Sequence, residues 1–70
     1  MNMMKVAIAI DDWKLPIFER HLRQSNYAFK NAGAFTAGTL ILHVETTNAD
    51  ALHEVVKAAN TEAARTGAPR

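Results

Sequence analysis

Trp13 and Lys14 are neighbours whose side chains together suit a ligand. The indole ring of a tryptophan offers a flat stacking surface, and the adjacent ammonium offers a positive charge. Such a pair suits a nucleobase and its phosphate. The structural alternative is that Trp13 packs over the end of a sheet, and the sequence leaves both interpretations open.

A second polar group occurs near the end of the chain, on a segment with helical periodicity. At about 100° per residue, its charged, amide and hydroxyl groups fall within about two turns: Lys57, Asn60, Thr61 and Arg65. An anionic ligand with hydrogen-bonding edges needs these groups. The alternative is a solvated helix face with a Glu62–Arg65 ion pair at i,i+3, which the spacing alone favours slightly.

The remaining chemically active residues match no catalytic or metal-binding pattern. His21, His43 and His53 lack the spacing of a metal-ligand motif, so no metal or cofactor is predicted. His43 is expected on the sheet face opposite the core, either paired with a subunit or ligand or half-buried in an interface. Asp11 and Asp12 are consecutive and point to different sides, which favours helix capping over acid–base catalysis. An enzyme is therefore the least favoured class.

Hydropathy periodicity predicts the element order β-α-β-β-α. The predicted elements are a strand over residues 4–10, a helix from Leu15 to about Gln24 with Pro16 in its first turn, a short edge strand over 27–30, a turn over 31–33, a strand over Thr39–Thr46 and a helix capped by Asn48 that ends near Arg65 and Gly67. The inward-facing residues are Val6, Ile8, Ile10, Leu15, Phe18, Leu22, Leu40, Leu42, Val44, Leu52, Val55, Val56, Ala59 and Ala63.

This order predicts an α+β fold, a ferredoxin-like sheet that lacks its last strand. The missing strand would lie beside residues 4–10, so the most apolar strand would keep an open edge that can pair with another chain. The other sheet face carries small and apolar groups at Ala7, Ala9, Ile41 and His43, a poor surface for a monomer. We therefore predict a homo-oligomer that completes the sheet.

Length and composition support this interpretation and exclude several classes. Seventy residues with 13 alanines make one small domain, predicted over residues 1–66 with a flexible tail at 67–70. The chain has no cysteine for a disulfide framework, and a net charge of +1 argues against a general nucleic-acid binder. No apolar run is long enough for a membrane span or a targeting segment, which predicts a cytoplasmic protein.

Two strings carry a resemblance to a known group of proteins. Residues 11–22 (DDWKLPIFERHL) and 55–65 (VVKAANTEAAR) resemble segments of a widespread group of very short phage-associated proteins, and they cover about a third of the chain. In size and phage setting, this group is similar to the viral sponge proteins, including anti-CBASS sponges, that sequester cyclic nucleotide signals of bacterial antiviral defence.

The resemblance implies an oligomer in the host bacterial cytoplasm that binds a cyclic dinucleotide without hydrolysing it. It carries over only the candidate residues inside the two strings, which are Trp13, Lys14, Lys57, Asn60, Thr61 and Arg65.

Two functional hypotheses follow. In the first, an anionic nucleotide is sequestered in a pocket between subunits, because so short a chain has little room for a private pocket of ~300 Å3. Trp13 would then stack on a base; Lys14, Lys57 and Arg65 would reach phosphates; Asn60 and Thr61 would contact base or ribose edges. In the second, a phage inhibitor adds its open strand edge to the sheet of a host protein.

Overall fold

The computed structural model describes residues 3–67, and its elements follow the predicted order β-α-β-β-α. The elements are β1 (Met4–Asp11), a one-turn 3-10 helix (Asp12–Lys14), α1 (Leu15–Gln24), β2 (Ala28–Thr36), β3 (Thr39–Thr46) and α2 (Ala49–Thr66). The predicted bounds of α1 and β3 are confirmed, and β1 is one residue longer than predicted.

The three strands form one antiparallel sheet in the order β1-β3-β2. All eight residues of β1 pair with β3 without a shift of register, from Met4 opposite Thr46 to Asp11 opposite Thr39. Among residues 3–67, no strand pairs with the other edge of β1. The sheet therefore has β3 at its centre and the free edges of β1 and β2 at its sides.

Side chains along the central strand β3 alternate between the two faces of the sheet, of which the first is buried under the helices. Leu40, Leu42 and Val44 are buried, whereas Ile41 and His43 between them are half-buried on the opposite face, as the alternation predicts. Both helices pack on the first face and form one core, whose buried members are Ile10, Phe18, Leu22, Leu40, Leu42, Val44, Leu52 and Ala59. Fully burying each large side chain contributes about 1.5–3 kcal/mol.

The entry into α1 differs from the prediction. Pro16 lies in the first turn as expected, but neither Asp11 nor Asp12 caps the helix with its side chain. The 3-10 turn intervenes, so Lys14 occupies the N-cap position of α1. The Asp11 carboxylate lies 3.5 Å from the Lys14 ammonium instead, and the capping prediction is wrong.

The edge strand predicted over 27–30 is present but longer, because β2 runs from Ala28 to Thr36, and the turn predicted over 31–33 is wrong. The pairing with β3 shifts between Asn31 and Gly33, where Gly33 has a φ of +102° and donates its N–H to Asn31 Oδ1 at 2.8 Å. The shift is a β-bulge, which uses the same residue types as a turn. The chain reverses later, at Gly38, with a φ of +81°.

The ends of α2 lie where the sequence predicts them. Asn48 Oδ1 accepts a hydrogen bond from the N–H of Ala51 at 3.1 Å, which confirms the N-cap. At the other end, Gly67 has a φ of +78° and donates its N–H to the carbonyl of Ala63 at 2.9 Å. The predicted tail starts at Gly67, and its residues 68–70 lie outside the described residues.

Glu62 connects the two helices. The alternative expectation of a Glu62–Arg65 pair is not met, since the Glu62 carboxylate contacts Arg20 and lies 2.8 Å from His21 Nε2. Both partners belong to α1, so these contacts hold α1 against α2 rather than bracing one helix.

Candidate functional site

The 3-10 turn after β1 places Trp13 and Lys14 side by side at one end of the sheet. Trp13 is half-buried, and the Lys14 ammonium lies 5.5 Å from the centroid of the Trp13 ring. This distance is within the range of a cation–π contact. The partial burial of Trp13 is compatible with both packing and ligand stacking.

A cleft of about 320 Å3 lies between this turn and the C-terminal end of α2. It is lined by Asp11, Trp13, Lys14, Asn60, Ala63, Ala64 and Gly67. Three of the six predicted site residues therefore meet in one cleft, although Asn60 is far from Trp13 and Lys14 in the sequence. The alanines and the glycine add little side-chain volume there, which leaves the space open.

The other three candidates, Lys57, Thr61 and Arg65, do not line this cleft. Lys57 precedes Asn60 by three residues and is its neighbour on the helix surface; its ammonium lies 3.8 Å from Glu54. The Thr61 hydroxyl donates to the carbonyl of Lys57 at 2.9 Å. Arg65 is exposed and lies about 140° around the helix from Asn60. Lys57 therefore flanks the cleft, whereas Arg65 lies away from it.

Sequence reasoning missed Asp11 as a lining residue of the cleft. Its carboxylate, with 55% of the side chain exposed, lies 3.5 Å from the Lys14 ammonium, which is 24% exposed. The i,i+3 spacing of the two residues was the available signal. Asp11 and Lys14 cancel in charge, so within a single chain an anionic ligand must compete with Asp11 for Lys14.

The sheet face opposite the helices carries a second, smaller depression of about 170 Å3. It is lined by Lys5, Ala28, Phe29, Lys30, His43 and Glu45. The predicted placement of His43 on the sheet face away from the core is confirmed. Its lining combines two lysines with a glutamate and includes Phe29, which also packs against the core.

An apolar groove of about 180 Å3 lies between β1 and α2. Its lining residues are Val6, Ile8, Ala49, Leu52, His53 and Val56. The groove borders the unpaired edge of β1, on the side where the missing strand is predicted. This surface is suited to apolar side chains from a strand added at that edge.

Residues 3–67 contain neither a metal-binding cluster nor a helix that could span a membrane. In this part of the chain, no three His, Cys, Asp or Glu side chains come together in a group that could hold a metal ion. Neither of its helices is long and apolar enough to cross a membrane.

Comparison with known proteins gives no relative: no family model, no curated protein and no solved structure matches this chain. The resemblance of residues 11–22 and 55–65 to short phage-associated proteins therefore stays a prediction.

Proposed function

We propose that this protein sequesters an anionic nucleotide, in the first place a cyclic dinucleotide, and releases it unhydrolysed. Its role would be that of a viral sponge, which evades the immune signalling of the host in the bacterial cytoplasm. The observation that carries the proposal is the shared cleft of Trp13, Lys14 and Asn60. It places an aromatic ring, a cation and an amide around one space of ligand size.

Each of these side chains has a physical role in the proposed complex. The Trp13 ring stacks on a base, an interaction that tolerates any base because every base has a π-face. Lys14 forms a charge-assisted hydrogen bond with a phosphate, and the Asn60 amide both donates to and accepts from a base or ribose edge. Lys57 reaches a phosphate at the mouth of the cleft.

Thr61 and Arg65 belong to the proposed site through their spacing on the helix and through the resemblance, since neither lines the cleft. They contribute only if the ligand extends past the cleft onto the exposed side of α2. We therefore expect them to contribute less to the affinity than Lys14 and Asn60 do.

The size of the cleft favours a site shared between subunits. A volume of about 320 Å3 is at the lower end of the ~300–1,000 Å3 of ligand pockets, so it suits one nucleotide unit and leaves the other outside. A homo-oligomer would supply the second half of the site. The order β1-β3-β2 fits a ferredoxin-like sheet without its last strand, and the free edge of β1 is where a partner would complete it.

The same free edge supports a second candidate function. A phage inhibitor that adds β1 to the sheet of a host protein would gain main-chain hydrogen bonds from the edge and side-chain contacts from the groove beside it. In that case the cleft at Trp13 would remain empty, and binding would need a protein partner.

Isothermal titration and thermal unfolding with cyclic di- and trinucleotides test the first proposal. A ligand at 100 times its Kd adds about 2.7 kcal/mol to the free energy of unfolding, and chromatography of the released ligand should recover it intact. Lys14→Gln and Asn60→Ala should each weaken binding by about ten-fold.

Arg65→Gln is the matched control, because it removes one positive charge outside the cleft. If Arg65→Gln weakened binding as much as Lys14→Gln, the site would lie on the exposed face of α2. No binding by the wild type would favour the protein-interaction candidate, and a cleaved product would identify an enzyme.

A further inference from the structure

The free edge of β1 is self-complementary. Its side chains alternate, with Val6, Ile8 and Ile10 on the face covered by the helices and smaller or charged residues on the other face. The edge is straight, since the pairing with β3 has no register shift. The apolar groove beside the edge continues the covered face outward. A strand that pairs here needs apolar side chains at every second position, and β1 itself has them.

The geometry of antiparallel pairing limits how two copies of β1 can meet. In an antiparallel pair, the side chains of two residues that lie directly opposite each other point to the same face of the sheet. A symmetric pair with all helices on one side therefore places even-numbered residues opposite even-numbered ones. The two registers that pair the most residues of β1 centre on Ala7 or on Ile8.

Charge distinguishes these two registers. With Ile8 on the two-fold axis, Lys5 lies opposite Asp11 of the partner subunit, and symmetry repeats this pair at the other end. Val6 then lies opposite Ile10 of the partner subunit. With Ala7 on the axis, Lys5 faces an alanine and Asp11 faces Met3, so no opposite charges meet. Cross-strand pairs of opposite charge are stabilising, which favours the Ile8 register.

We propose that two copies of this chain join their sheets through antiparallel pairing of β1, with Ile8 on the two-fold axis. The product is a continuous six-stranded sheet with all four helices on one side. The two apolar grooves face each other across the axis, and Val56 of both copies, partly buried in the single chain, becomes buried. This interface specifies the homo-oligomer on which the proposed function rests.

The dimer also changes the candidate nucleotide site. Asp11 lines the cleft and lies 3.5 Å from the Lys14 ammonium. In the dimer, Lys5 of the partner subunit lies opposite Asp11 and compensates its charge. Lys14 is then available to a phosphate, and each cleft gains one positive charge that a single chain lacks. The site is incomplete without the partner.

Charge reversal tests the register. Lys5→Glu and Asp11→Lys each place like charges opposite each other twice, and each should raise the dimer Kd by about ten-fold. The double variant restores opposite charges and should recover the wild-type Kd. Sedimentation equilibrium without nucleotide measures the Kd, and circular dichroism checks folding. A wild type that sediments at the 7.7 kDa of one chain at micromolar concentration, or a double variant weaker than both single variants, overturns the proposal.

Cross-linking gives a second, independent measurement, because the chain contains no cysteine. A residue on the axis faces its own copy with a Cα–Cα distance of about 4.5–5.5 Å, which a disulfide can span. Oxidised Ile8→Cys should therefore form a covalent dimer. Ala7→Cys is the control, since its own copy lies diagonally across at about 7–8 Å. Efficient cross-linking of Ala7→Cys alone would place Ala7 on the axis, and a dimer that cross-links through neither would exclude β1 as the interface.

These outcomes separate the interface from the proposed function. If the protein forms a dimer through β1 but binds no nucleotide, the proposed interface is supported and the proposed function is wrong. If the protein is a monomer that binds nucleotide through Lys14, the proposed function is supported and the proposed interface is wrong. If both hold, Lys5→Ala should weaken nucleotide binding by about ten-fold, although Lys5 does not line the cleft of its own chain.

Discussion

The two edge strands of this sheet differ in how open they are to another strand. β2 carries two register shifts, between Asn31 and Gly33 and between Ala34 and Thr36, and it presents Lys30. β1 also carries a lysine, Lys5, but it has no register shift along its eight paired residues and has an apolar groove beside it. Bulges are one of the usual means by which sheets block edge-to-edge pairing. β2 is therefore the better protected edge, and β1 is the edge at which we propose pairing.

The largest loss of stability is expected from a substitution in the central strand β3, because both edge strands pair with it. Leu42 in β3 is fully buried and is paired with Ile8 on one side and Asn31 on the other. Leu42→Ala should lower the free energy of unfolding by about 2–5 kcal/mol through lost contacts and the cavity left behind. Urea unfolding measures it at fixed protein concentration. The neighbour Ile41 is half-buried on the other face, so Ile41→Ala should cost clearly less.

A second prediction concerns the difference between the edges directly. Asp12 donates its N–H to Gly38, and backbone groups alternate along a strand, so the N–H of Ala7 points to the free edge. Ala7→Pro removes this donor and should raise the dimer Kd by about ten-fold or more. Ala32→Pro is the matched control, because Ala32 lies in the bulge of β2 and has no partner in β3. If Ala32→Pro weakened association instead, β2 would be the pairing edge.

How far the sequence predicts this fold depends on whether a signal is local. The bounds of β3 follow from strict alternation, and those of α2 follow from Asn48 and Gly67. The extension of β2 could not be predicted in the same way, because Asn31 and Gly33 are residue types that are equally typical of a turn and of a bulge. Only pairing with the distant β3 selects the bulge.

The same distinction applies to the candidate site. Trp13 and Lys14 are adjacent, so their proximity is a local property. Their approach to Asn60 depends on how α2 packs over the end of β1, which no spacing encodes. Arg65 has a suitable charge but the wrong rotation about the helix axis. Glu62 finds its partner His21 at a separation of 41 residues, beyond any helical rule.

A third prediction concerns α2, which forms one wall of the groove beside β1. Asn48→Ala removes the cap from the first turn and should cost about 1 kcal/mol of unfolding free energy, measured by thermal or urea unfolding. Because Ala49 and Leu52 line the groove next to this turn, the dimer Kd should also rise. Asn48→Asp keeps a capping oxygen and should preserve both properties. An unchanged melting curve for Asn48→Ala would show that the cap adds nothing to stability.

The smallest expected effect concerns the link between the β1 side and the β2 side of the molecule. α2 borders β1 and α1 contacts β2, and Glu62 joins the helices through Arg20 and His21. Because Glu62 is about one-third exposed, solvent screens these pairs, and Glu62→Gln should cost about 0.5–1 kcal/mol.

Glu54→Gln is the control for Glu62→Gln, since Glu54 is 71% exposed and lies 3.8 Å from Lys57 within one helix. It should leave the unfolding curve nearly unchanged. Neither variant touches an edge, so the dimer Kd of both should equal that of the wild type. A weaker dimer in Glu62→Gln would mean that the packing of α1 on α2 positions the β1 edge. In that case the difference between the edges would arise from the helices as well as from the strands.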